Sequence, residues 1–164
     1  MSNLLVYSRS RSTSVEQIDD QTMLSSCRLQ DTFTDAYVEI RVQLPELEII
    51  EITSEFNRTQ QNECIDVSGA FQKLKGVRIG SGLLKILKGL VADATDCKQF
   101  GFMVEECCHG VILSFTKDTM MQIPEGQEVG AEAYKNMVKE NIRLYNRCAA
   151  FAPGSSMVEG IDPP

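Results

Sequence analysis

The sequence predicts an α+β domain, with an antiparallel sheet from the N-terminal half packed against helices from the C-terminal half. Three observations carry that prediction. YVEIRVQL (Tyr37 to Leu44) alternates apolar Val38, Ile40, Val42 and Leu44 with polar Glu39, Arg41 and Gln43, the pattern of a half-buried strand. The second half places apolar residues at helical spacing. Strand patterns come first along the chain and helical patterns afterwards, which separates α+β from an alternating α/β order.

NLLVY near the N-terminus is rich in β-prone residues, and TMLSSCRL is expected to follow as a second extended segment. YVEIRVQL and LEIIEITSEF (Leu47 to Phe56) then read as a hairpin joined at Pro45-Glu46. Ser81 to Asp93 forms a helix, with Ser81 as N-cap, Leu83, Leu84, Leu87, Leu90 and Val91 on one face, and Lys85 and Lys88 in water. Lys98 to about Ser114 is a further helix on the strength of Phe102, Met103, Val111 and Ile112. Lys117 to Gly130, with Pro124 and two glycines, reads as a loop. Ala131 to Cys148 is the last helix, burying Tyr134, Met137, Val138, Ile142 and Tyr145 on one side. Residues 1–150 are expected to form a single domain, and 151–164 a loosely packed C-terminal extension.

The chain has 164 residues and is 43% hydrophobic, enough for a core without covalent staples. Its formal charge of -7 argues against nucleic acid as a partner, because phosphate contacts need clustered Lys and Arg. SRSRS (Ser8 to Ser12) supplies only two arginines and fits a solvated strand end. The N-terminus has no apolar segment of signal-peptide length, and runs such as GVIL are too short to cross a bilayer. The expectation is a soluble cytoplasmic protein with no membrane partner, in which six cysteines serve as thiols or metal ligands rather than disulfides.

CKQFGFMVEECCHG (Cys97 to Gly110) concentrates three cysteines and the only histidine. On a helix, Glu105, Cys108 and His109 lie at i, i+3 and i+4 and share a face. Cys64, Cys97, Cys108 and His109 are therefore candidate ligands for zinc or an iron–sulfur centre, with Glu105 as the acceptor that would orient the imidazole or as a replacement ligand. Against this, the spacing contains no C-x-x-C pair, and adjacent Cys107 and Cys108 point about 100° apart on a helix. Buried cysteine also behaves as an ordinary small hydrophobe. A catalytic Cys–His pair lacks a third, orienting group, so no catalytic residue is assigned.

Two other stretches invite chemistry. GSG in RIGSG could cradle phosphate, but it lacks the Walker lysine and the dinucleotide fingerprint, and a tight turn into a helix explains it. Asp31, Asp35 and Glu39 could hold a hard cation, whereas Asp in DTFTD more simply caps a turn through its own backbone.

The order DTFTD (Asp31 to Asp35), YVEIRVQLPELEIIEI, Cys64, LKGVRIGSG (Leu74 to Gly82) and Cys97 resembles a bacterial family known only as a domain of unknown function. That family carries D-x-F-x-D, L-x-G-x-x-I-G-x-G and G-C-x-H-L motifs, and the likeness spans roughly Ser14 to Leu113. It implies no activity. In the last motif Asp96 replaces the glycine and Gln99 stands at the histidine position, so His109 would have to compensate. Sheet, cysteine, helices and a late Cys/His pair are also similar in architecture to iron–sulfur scaffolds of the NifU and SufE type. Cys64 would match the cysteine after the last strand, although no cysteine lies in Tyr37 to Phe56, where the scaffold's first one sits. Two readings stay open: a small binding protein handling zinc or an iron–sulfur centre, or an apo structural or protein-interaction module with buried cysteines. A homodimer or another protein is the partner either would take.

Overall fold

Four strands pair in sequence order, each antiparallel to the next: β1 (Arg9–Asp19), β2 (Thr22–Asp31), β3 (Asp35–Gln43) and β4 (Glu48–Arg58). The structure is a computed structural model and describes residues 4–58, 68–80, 82–89, 98–121 and 129–162. Helices follow the sheet: α1 (Ser68–Gln72), α2 (Leu83–Leu87), α3 (Lys98–Ser114), α4 (Thr116–Met121) and α5 (Ala131–Glu140). This is the α+β arrangement that the sequence predicts. No described helix is long and apolar enough to cross a membrane.

Alternation decides which face of the sheet is buried. Met23, Ser25, Cys27 and Leu29 of β2 stand opposite Val42, Ile40, Val38 and Ala36 of β3, and all eight are buried. Glu39 and Gln43 are half-buried and Arg41 is exposed on the other face, as expected. A register shift in β4 carries the apolar pattern across LEIIEI. Val42 pairs with Ile49 and Arg41 with Glu51, so Ile50 has no cross-strand partner and is partly exposed, while Ile49 and Ile52 both reach the core.

The first strand begins later than its side chains suggest. The β-prone run ending at Tyr7 lies outside β1, and Leu4, Leu5 and Val6 are at least 80% exposed. A strand needs a neighbour more than it needs β-branched side chains. The β1–β2 ladder stops where β2 ends at Asp31, and its last bond runs from Thr32 N to Ser8 O. The β3–β4 connection also differs, occupying residues 44–47 rather than Pro45-Glu46 alone. Leu47 takes a left-handed backbone, φ 59, with its side chain buried and its carbonyl accepting from Ile79 N at 2.8 Å. Tertiary contacts hold a conformation that leucine by itself disfavours.

The helical half is more broken than the periodicity implies. Lys98–Ser114 matches the expected helix, whereas only Leu83–Leu87 of Ser81 to Asp93 is described as α-helix. Within it Leu83 and Leu87 are buried and Lys85 is exposed. Ser81 and residues 90–93 fall outside the described residues. The expected loop from Lys117 begins instead inside α4. Ser114 Oγ and Thr116 Oγ1 donate to the carbonyls of Val111 and Leu113, which turns the chain between α3 and α4. The last helix stops at Glu140, because Asn141 adopts φ -131, ψ 84 and a 3-10 turn (Ile142–Leu144) follows. Met137 and Val138 are buried as expected, but the break exposes Ile142 and buries Leu144 in its place.

The chain forms two compact units, Met1–Gly110 and Val111–Pro164. In the second, the tail after residue 150 is folded into turns, with Ser155 N donating to Ala152 O, Val158 N to Ser155 O and Ile161 N to Val158 O. Phe151 and Val158 are buried there.

Candidate functional site

The cysteine-rich helix lies against the inner face of the sheet. Phe100, Met103, Val104, Cys107 and Cys108 are each at most 1% exposed, a continuous apolar stripe at i, i+3, i+4, i+7 and i+8. Phe100 anchors its N-terminal end between Phe56 of β4 and Phe71 of α1, with ring centroids 4.1 and 5.1 Å away. Phe102, expected in the core, is half-buried instead, with the Arg11 guanidinium 4.5 Å above its ring. At the other end the helix comes very close to β1. A Cβ built on Gly110 would lie 3.1 Å from methyl groups of Thr13 and Val15, so glycine sets the spacing between helix and strand.

Two polar groups inside this interface are satisfied across it. Ser25, fully buried on β2, donates its hydroxyl to the Cys107 carbonyl at 2.9 Å. The Cys107 thiol is 3.8 Å from the Val38 carbonyl and donates to it. Burial, reinforced by nearby Cys27 and Cys108, pushes the Cys107 thiol far above its ordinary value, and burial also raises Cys27. A thiol in such surroundings stays protonated, whereas a metal or an electrophile needs the thiolate.

The predicted ligands are distributed as follows. Cys108 is buried on the stripe, with His109 and Glu105 half-buried on the same helix. Cys64 and Cys97 lie outside the described residues. Among the described residues, no three His, Cys, Asp or Glu side chains are grouped so as to hold a metal ion. Both Cys107 and Cys108 face inward, although they are adjacent, because the apolar stripe is wide enough to take neighbouring positions.

The acidic set is occupied by the protein's own donors. Asp31 Oδ1 accepts from the backbone N–H groups of Phe33 and Thr34 at 2.8 and 2.7 Å, while Oδ2 accepts from Arg9 Nε and Nη2 at 3.0 and 2.8 Å. Burial would raise this carboxyl, but the bonds from Phe33, Arg9 and Thr34 outweigh it and hold its pKa below the ordinary value. Asp35 pairs with Arg28 at 3.1 Å, and Glu39 accepts from the Tyr37 hydroxyl at 2.7 Å. DTFTD is thus the clamp of the β2–β3 turn. Gly76 and Gly82 of LKGVRIGSG take left-handed φ values of 84 and 81, where the chain turns.

Two features escaped the sequence reading. In the second unit a pocket of about 300 Å³ is lined by Met120, Tyr134, Met137, Phe151 and Met157, with the exposed thiol of Cys148 at its wall. Its residues are scattered from 113 to 157 and share no motif. The other feature is the extent of β1 beyond SRSRS, which reads only as a strand end. Ten of its eleven residues are exposed, and among the described residues only β2 bonds to its backbone. The polar run RSRSTSVEQID carries no apolar alternation that would have marked it as a strand. Comparison with family models, curated proteins and solved structures finds no match for this chain.

Proposed function

We propose that the protein is a non-catalytic protein-interaction module whose α3 cysteines serve as core. One observation carries this reading: Cys107 and Cys108 lie at most 1% exposed on the stripe that packs against the sheet, with the Cys107 thiol engaged by the Val38 carbonyl. Cysteine used this way contributes dispersion and apolar burial, not chemistry. The long strand β1, exposed at the sheet edge, supplies a surface suited to a protein partner. Cys27 and Cys107, buried as thiols, support a cytoplasmic setting for the module.

Metal analysis of protein purified without a histidine tag tests the reading. The expected result is substoichiometric zinc and iron, with thermal unfolding unchanged by a chelator. A stoichiometric metal that is lost in Cys108→Ala or His109→Ala overturns it in favour of a centre built from Cys64, Cys97, Cys108 and His109.

A further inference from the structure

We propose that a second copy of the chain pairs along β1, joining the two four-stranded sheets edge to edge about a two-fold axis. This rests on the interaction-module reading and names its partner.

The hydrogen-bonding side of each β1 residue follows from its pairing. Thr32 N donates to Ser8 O, so Ser8 faces β2, and alternation along an antiparallel ladder turns Ser10, Ser12, Ser14 and Glu16 the same way. The N–H and C=O groups of Arg9, Arg11, Thr13, Val15 and Gln17 therefore point away from the sheet. They form an outward row on a strand of eleven residues. Nothing in RSRSTSVEQID blunts that row with lysine or proline, the usual protections of a free edge.

Charge supplies the reason for a second copy rather than an unrelated strand. The N-terminal half of β1 carries Arg9 and Arg11, and the C-terminal half with its turn carries Glu16, Asp19 and Asp20. Antiparallel self-pairing lays the basic half of each copy along the acidic half of the other, twice over, as an isologous interface requires. A register that sets Thr13 opposite Val15 satisfies both constraints. Outward-facing backbone meets outward-facing backbone, and Arg11 stands opposite Gln17, next to Glu16. Parallel pairing would instead set like charges side by side. At the opposite edge the start of β4 is covered by the chain itself, since Ile49 N is bonded to Val77 O and Glu48 pairs with Arg78.

Sedimentation equilibrium of the full chain in the presence of chelator, which removes any metal-bridged species, tests the pairing. The wild type is expected to be a dimer that weakens as salt is raised. Arg11→Glu makes the strand mainly acidic, and Glu16→Arg with Asp20→Arg makes it mainly basic. Each variant should weaken self-association at least about tenfold while keeping its circular dichroism, and mixing the two should restore a dimer. Val15→Pro, which removes an outward N–H, should also give a monomer. A wild-type monomer at all concentrations, a dimer that none of these variants weakens, or a mixture that stays monomeric overturns the proposal. Those outcomes leave the interaction-module reading standing, because it fails on metal content alone.

Discussion

At one edge of the sheet, residues 76–79 run beside β4. Gly76 N bonds Ile49 O, Ile49 N bonds Val77 O, and Ile79 N bonds Leu47 O. At the other edge, β1 meets solvent along almost its whole length and holds on through β2 and a close approach by α3. The start of the first edge is covered by these backbone hydrogen bonds above a fully buried row, Ile40, Val42 and Ile49. The second has Thr13, Val15 and the Arg11–Phe102 stack as its inner contacts. At its start β4 is closed by its own chain and has no backbone donor left to offer there, whereas β1 keeps an outward row along its length.

The sharpest way to break this comparison is to place proline at both edges. Ile49→Pro removes an N–H that serves Val77 O and should cost about 3 kcal/mol or more in denaturant unfolding. Val15→Pro removes an N–H that faces outward and should cost about 1 kcal/mol or less under conditions where the chain is monomeric. Equal losses would mean that β1 is as firmly built in as β4.

The next test acts on the clamp that ties the start of β1 to the β2–β3 turn. Asp31→Ala strands the Phe33 and Thr34 N–H groups and frees Arg9, so a loss of about 2 kcal/mol is expected by chemical denaturation. Because the folded pKa of Asp31 is lowered, its contribution is fully present above the unfolded carboxylate value. It is lost as pH falls through the lower, folded value. The melting temperature of the wild type should therefore drop on acidification below about pH 4, and that of Asp31→Asn should drop less.

A smaller effect separates β1 from the rest. Gly110→Leu drives a side chain into Thr13 and Val15 and should cost about 1–2 kcal/mol. In hydrogen exchange, β1 amides should lose protection while those of β3 and β4 keep theirs. The smallest change belongs to the solvent face, where Arg41 and Glu51 are 3.6 Å apart and both exposed. Arg41→Ala should shift stability by no more than about 0.5 kcal/mol.

Part of the candidate site is legible in the sequence. Met103, Val111 and Ile112 mark the buried face of α3, whereas Phe102, expected there, is half-buried. What the sequence could not supply was the partner of each polar group. Ser25 lies 82 positions from the carbonyl it binds, and Arg9 lies 22 positions from Asp31.

By itself the sequence determined the α+β class, the alternating faces of β3, and the limits of α3. Periods of 2 and 3.6 residues are local properties of the chain. Only the tertiary structure decided that β1 begins at Arg9, that Leu47 takes a left-handed backbone, and that α5 ends at Glu140. It also decided that neighbouring Cys107 and Cys108 both face inward. Each of these outcomes depends on where another segment places its hydrogen-bonding groups or its apolar surface, and a single-chain pattern carries no record of that.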